Sequence, residues 1–475
     1  MTRTALAAAL AAAFIVPLAS AQTVSNVGFV NGLALSGSLT DTTGTGFDGR
    51  VGFFSDIYYD ANRNEWWGLS DRGPGGGTLS YETRVQRFTI DVNPNTGAIS
   101  NFQIAQTVLF HNGSQPFNGQ APGVPSFLGT SFDPEGLIVN PVNGHLLVSD
   151  EYGPSVYEFD RSGQLVRAYN QPANLVPRTG AATDYNALPP TLTSGREPNR
   201  GYEGLAISPD GKTAYAVLQN GAIQDGWANG NRGEYTRIVK YDTATGAVLG
   251  QYAYKLESSG QGRGISALVA LGNDKFMILE RNNRGVGVGA TLAGADKNVF
   301  YVDFAGATDV SGIALPASGA LPAGVQAVVK GAKIIDLDAN TLAALGNRSP
   351  EKWEGLAVGP KLANGQYLIL AGTDNDYSVT QNGTGVQFDV WFRMSDADPY
   401  AMSIQCPVGS VTGCTFTNNG AGATLGGDYT LLPGVLHAYT ANIDGYLAPV
   451  PEAQTWALMG AGLALLVLRR RPRRG

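Results

Sequence analysis

Three glutamates occupy nearly the same local sequence: Glu135 in FDPEGL, Glu203 in GYEGLA and Glu354 in KWEGLA. Each precedes a glycine and a leucine. Each is followed by an apolar, strand-forming run that ends in polar or acidic residues: HLLVSDEYGP, TAYAVLQNG and QYLILAGTDND. Carboxylates brought together repel unless a cation or a basic group compensates them. Two basic compensators stand beside acids, Arg72 after Asp71 in SDRG and Arg281 after Glu280 in LERN. A hard cation such as Ca²⁺, which takes roughly 6–8 oxygen ligands, suits the carboxylate and amide oxygens of Asp71, Glu151, Glu280, Asp374, Asn375 and Asp376. A bound metal could activate water and polarise a phosphoryl oxygen. The expected division of labour is therefore catalytic for Glu135, Glu203, Glu354, Arg72 and Arg281, and metal-ligating for the other six.

A competing reading makes the same glutamates acceptors for backbone N–H groups that hold each repeat together. It makes SDRG and LERN salt bridges between units, and DNDY an acidic turn. Tyr152, Trp353 and Tyr377 read as packing residues.

These side chains meet only if the repeats are arranged radially. Two looser copies extend the pattern: Asp56 in FFSDIYYD before EWWGLSDRG, and Ser266 in RGISALVA before KFMILERNNRG. Between the anchors lie hairpin signals with acidic turns, at Asn93 to Gly97, Asp160 to Gly163 and Asp242 to Gly246. Carboxylate-Gly-Leu, strand, strand, turn, strand outlines a four-stranded blade. The predicted fold is all-β, a β-propeller of six blades. The sixth would come from strands around FDVWFRM and GVLHAY, closed by an N-terminal strand near Val24 to Leu35. The segment 334–346 is the best short-helix candidate. Segments 111–130 and 170–200, rich in Pro, Gly, Asn and Ser, read as insertions that could wall a site.

Only 15% of residues are charged, glycine is abundant at 63, and the formal net charge is −7. No basic stripe exists for nucleic acid, so that class is excluded. There is no GxSxG elbow, Walker loop or HExxH. His111, His145 and His437 form no metal-spaced pair. Residues 1–21 read as an export signal, with Arg3, an apolar run from Ala5 to Leu18 and a small-residue cleavage site ending at Ala21. In an exported chain the two close cysteines, Cys406 and Cys414, are expected to form a disulfide.

The tail, residues 448–475, combines Pro451 and Glu452, a short apolar segment from Trp456 to Leu468 and an arginine cluster. It resembles the PEP-CTERM sorting signal, with Ala453 where that signal usually has a second proline. The resemblance implies processing by an exosortase, a transient inner-membrane anchor and a place at the surface or in the matrix of a Gram-negative bacterium. The body, residues 22–447, carries SDRG, FDPEGL, SDEYGPSVYEFDRSG, NRGYEGLAISPDGKTAYA, LERN, KWEGLAVG and TDND in an order similar to phytase-like propellers, the "esterase-like activity of phytase" family. That resemblance implies a β-propeller with phosphoric-ester hydrolase activity, by analogy with calcium-dependent phytases, acting on a small phosphoester; the chain is expected to be a monomer. The alternatives are a non-catalytic propeller that binds matrix polysaccharide or protein, and a calcium-dependent, lactonase-like esterase.

Overall fold

The computed structural model describes residues 23–449, apart from 45–46, 227–231, 259, 261 and 273. The export signal and almost all of the sorting tail lie outside the described residues. Among the described residues no helix is long and apolar enough to cross a membrane.

The described residues are all-β and form five four-stranded antiparallel sheets. Sheet I holds Asp56–Asp60, Glu65–Leu69, Arg84–Val92 and Ile99–Leu109. Sheet II holds Pro134–Val139, Leu146–Asp150, Ser155–Phe159 and Leu165–Ala168. Sheet III holds Tyr202–Ile207, Thr213–Leu218, Tyr235–Asp242 and Val248–Lys255. Sheet IV holds Gly264–Gly272, Lys275–Arg281, Lys297–Asp303 and Val329–Asp336. Sheet V runs Trp353–Lys361, Tyr367–Thr373, Gly434–Ile443 and finally Val24–Leu35, so the N-terminal strand pairs with the last strand of the chain.

The inner strands of these sheets are apolar on both faces because each sheet is covered on both sides. Five apolar clusters fill the gaps. Trp67 and Leu69 of sheet I meet Leu137 and Val148 of sheet II. Ile138 and Leu147 meet Leu205 and Ala216 of sheet III. Ala206 and Tyr215 meet Leu268 and Ile278 of sheet IV. Met277 and Leu279 meet Leu356 and Ile369 of sheet V. Ala357 and Leu370 then meet Ile57 and Trp66 of sheet I. The order of packing is thus cyclic.

The Gly of the repeated Glu-Gly-Leu has a packing reason. A Cβ on Gly136 would stand 2.3 Å from the Glu203 carbonyl, and one on Gly204 2.4 Å from the Leu268 nitrogen. The backbone of the next sheet passes there, and only glycine leaves room for it. Sheet I has Asp56 at this position instead. Its carboxylate accepts the backbone N–H groups of Ile57 and Leu137, at 2.8 Å each, and that of Leu356. One buried side chain so ties sheet I to sheets II and V.

The expected sixth unit takes another form among the described residues. FDVWF lies in a five-stranded sheet with Val379–Gln381, Ile404–Pro407, Thr415–Phe416 and Thr430–Leu431, whereas GVLHAY belongs to sheet V. Cys406 and Cys414 form the expected disulfide in that five-stranded sheet, with S–S 2.09 Å. The segment 334–346 is not one helix. Its first residues finish a strand of sheet IV, and two single 3₁₀ turns follow, Leu337–Ala339 and Ala343–Leu345. Gly346, left-handed at φ 61°, ends the second.

Candidate functional site

The pairing registers of the sheets explain which side chains converge. Ile57, Leu137, Leu205, Leu268 and Leu356 face Gly68, Val148, Ala216, Ile278 and Ala371 across the first strand pair of each sheet. Three residues further along stand Asp71, Glu151, Gln219, Arg281 and Asp374, the equivalent strand-end positions. In sheets II to V the register slips at the Glu-Gly position, or at Ser266 in sheet IV. A β-bulge of this kind re-aims a side chain. Here it turns the glutamates toward the strand-end groups.

The result is a polar cavity of about 240 Å³ that Glu135, Glu203 and Glu354 line together with Asp71, Arg72, Glu151, Arg281 and Asp376. Seven carboxylates and four cationic side chains line it among the described residues. The glutamates are buried, with Glu135 7% and Glu203 and Glu354 2% exposed. Among the described residues no backbone N–H donates to the carboxylates of Glu203 and Glu354. Gln219 donates its amide to Glu203 Oε1, and Arg281 donates to Glu354 Oε1. Arg281 also lies 3.3 Å from Glu351 and 2.9 Å from Ser266 Oγ. Sheet IV therefore has a small serine at the glutamate position and fills the space with the arginine beside it.

Arg72 pairs with Asp133 at 2.6 Å and approaches Glu151 at 3.9 Å. Lys352 holds Asp374, lies 3.0 Å from Asp376 and 3.7 Å from Glu354. Burial works against the Lys352 charge, yet Asp374, Asp376, Glu354 and Asp71 raise its pKa well above the usual lysine value.

Burial pushes the carboxyls upward. Glu135 is raised well above the ordinary range, reinforced by Glu203, Asp133, Glu151 and Glu354. Glu203 is raised in the same way, with Glu151 and Glu354 adding and Arg281 and Arg200 opposing. Glu354 is pushed up to about 7 by burial, against the pull of Lys352 and Arg281.

Among the described residues two groups can each present three carboxylate oxygens within 4.8 Å of one another: Asp71, Asp374 and Asp376, and Asp133, Glu135 and Glu151. In the first, Lys352 already supplies a cation. In the second, Arg72 serves Asp133, while Glu151 Oε1 is buried without a hydrogen-bond partner among the described residues. Glu203 Oε2 and Glu354 Oε2 are orphaned likewise.

Two expected metal ligands lie elsewhere. Glu280 is fully buried and turned away from the cavity. It accepts from Tyr254 at 2.5 Å and from the backbone of Glu257 at 3.0 Å, and pairs with Lys330. Adjacent strand residues point to opposite faces, so Glu280 and Arg281 cannot both face the cavity. Asn375 is also buried. Its oxygen accepts the Tyr377 N–H and its amide donates to the Leu432 carbonyl at 2.9 Å, which closes the acidic turn. Tyr152, Trp353 and Tyr377 are buried packing residues.

The sequence reading passed over Lys352, Glu351, Asn199, Arg200 and Gln219, which also line the cavity. Their signals were present. Lys352 is two residues before Glu354 and so shares its face. Gln219 occupies the strand-end position that Glu151 and Asp374 occupy in their sheets. Asn199 and Arg200 end the insertion 170–200, which does wall the site.

A family model described as "Phytase-like: Esterase-like activity of phytase" matches residues 49–377. The chain belongs to this phytase-like family. An uncharacterized secreted protein of Arthroderma benhamiae is 25% identical over 416 residues, which cover 69% of this chain and 80% of that protein. Among solved structures, Kuenenia stuttgartiensis hydrazine synthase is 14% identical, with a TM-score of 0.25, covering 64% of this chain and 78% of that one. A Bacteroides caccae protein of unknown function is 11% identical, with a TM-score of 0.26, covering 76% of each chain. Superpositions this loose carry no argument about this phytase-like chain.

Proposed function

We propose that this phytase-like protein is an exported hydrolase of phosphoric esters. Its five four-stranded sheets act as the blades of a propeller, with a carboxylate-rich cavity at one end of the axis that holds a divalent cation, Ca²⁺ first among candidates. The observation that carries the reading is the set of buried, unpartnered oxygens on Glu151, Glu203 and Glu354 around one cavity. A buried carboxylate oxygen without a partner costs on the order of 1–3 kcal/mol. A hard cation with oxygen ligands relieves that cost for several of them at once. The donor set fits: Glu135 and Glu151, whose oxygens come within 4.8 Å of one another, would hold the ion, and Glu203 and Glu354 line the same cavity.

When bound, the cation supplies a Lewis acid for a phosphoryl oxygen and lowers the pKa of a bound water. Arg72 neutralises Asp133 and keeps it from competing for the ion. Arg281 and Lys352 hold Glu354 in place and leave its second oxygen free to take or give a proton. A pKa near 7 suits that role close to neutral pH. Export is supported by the secreted fungal relative and by the disulfide. The signal and sorting segments at the two ends remain part of this proposal.

The test uses residues 22–447, assayed with and without added Ca²⁺ against a phosphomonoester, a lactone and an inositol phosphate, with EDTA controls. Calcium-dependent release of phosphate supports the reading. Release from the lactone alone would favour a carboxylic-ester hydrolase, and no turnover under any condition would leave a binding protein.

A further inference from the structure

We infer that Arg200 is the residue that receives the anionic phosphoryl group of the substrate. This inference rests on the hydrolase reading of the same cavity and assigns a residue that the family match does not.

Arg200 lines the acidic cavity and is only partly exposed. Its treatment differs from that of every other cation there. Arg72 has Asp133, Arg281 has Glu351 and Glu354, and Lys352 has Asp374 and Asp376. Nearby Arg232 has both oxygens of Glu197, at 2.6 and 2.8 Å. Among the described residues no carboxylate lies within ion-pair distance of Arg200. Its one side-chain bond is from Nη1 to Gln219 Oε1. Gln219 then donates its amide to Glu203 Oε1. The glutamine is thus a spacer that orients the guanidinium and the carboxylate while keeping them out of direct ion-pair contact. A glutamate in its place, as at the equivalent Glu151, would have closed an ion pair.

A guanidinium with unused donors, held in the cavity that lines the proposed cation site, suits an oxyanion placed between the arginine and the metal. The planar fork matches two phosphoryl oxygens. The position is fixed from behind. Arg196 of the same segment is buried and donates to the Tyr152 carbonyl at 2.7 Å and the Tyr185 carbonyl at 2.8 Å. Glu197 is anchored by Arg232, and Asn199 accepts from Arg72. The insertion therefore presents Arg200 from a secured base. A neutral lactone would gain little from it, so the residue separates an anionic from an uncharged substrate.

The test compares the wild-type protein with Arg200→Gln and Arg200→Lys. Three quantities are read: KM and kcat for a phosphomonoester with Ca²⁺, binding of inorganic phosphate by calorimetry, and the melting temperature. Arg200→Gln should raise KM and weaken phosphate binding about tenfold or more, as for loss of a charge-assisted pair. Ca²⁺ affinity and the melting temperature should be retained, and Arg200→Lys should recover part of the loss. If the wild type turns over the phosphomonoester and Arg200→Gln leaves KM and phosphate affinity unchanged, the assignment of Arg200 is overturned while the hydrolase reading stands. If the wild type binds phosphate through Arg200 yet hydrolyses nothing, the anion site stands and the hydrolase reading falls. If the wild type neither binds phosphate nor turns over the ester, both are overturned.

Discussion

Arg281 of sheet IV reaches across to Glu354 of sheet V, so an ion pair at the rim of the cavity also joins two neighbouring sheets. Both side chains are buried, at 8% and 3% exposed. Removing one partner of a buried pair leaves an uncompensated charge. Arg281→Met should therefore destabilise the protein by about 3–5 kcal/mol in urea unfolding. The double variant Arg281→Met, Glu354→Met should regain much of that loss. Equal losses in the single and double variants would mean that the two residues do not act as a pair.

The glycines of the repeat give a second prediction. Gly136→Ala and Gly204→Ala place a methyl group against the backbone of the next sheet, which cannot retreat as a flexible side chain would. Each should cost about 2 kcal/mol or more. Gly28→Ala, where a Cβ meets nothing within 4 Å, is the control and should be neutral or slightly stabilising. Tolerance of all three would separate the repeat from the packing of the sheets.

These glycines also show how much of the fold was legible. Glu-Gly-Leu recurs because one residue is aimed by a bulge, the next must clear a neighbouring backbone and the third fills the core. That combination leaves a trace in sequence, and the three glutamates it marks, Glu135, Glu203 and Glu354, line one cavity. The strand ends were harder. LERN displays Glu280 and Arg281 equally, and only the register decides that the arginine faces the cavity. Asp56 was aligned with the glutamates but stands at the glycine position, and Ser55 takes the glutamate's place. Lys352 and Gln219 escaped because one looks like a surface lysine and the other is uncharged. The sixth unit takes a different form because the strand GVLHAY, remote in sequence from KWEGLA, completes the same sheet.

His437 yields a pH prediction. Its ring is buried against Trp353 and Phe29, at centroid distances of 4.7 and 5.0 Å, and Nε2 has no hydrogen-bond partner among the described residues. Burial lowers its pKa from the usual 6.5 to about 4. Between those values the unfolded chain binds a proton that the folded protein does not. The His437 contribution is therefore complete above about pH 6.5, falls as the pH drops and is lost near pH 4, on the order of 3 kcal/mol in all. The stability difference between wild type and His437→Gln, measured by denaturant unfolding, should shrink by this amount from pH 7.5 to 4. A difference that stays constant with pH would contradict the assignment.

The most direct measurement of the account is Ca²⁺ titration calorimetry on the wild type, Glu135→Gln and Glu203→Gln, with phosphomonoester turnover and metal-free melting temperature followed in the same samples. Both substitutions keep the side-chain shape and remove a carboxyl group that could ionise to hold the cation and that burial disfavours as a charge in the metal-free protein. The account predicts that Ca²⁺ affinity and turnover fall together by about tenfold or more, while the metal-free melting temperature is unchanged or rises. Variants that bind Ca²⁺ as the wild type does but melt earlier would contradict it and leave these glutamates as struts between the sheets.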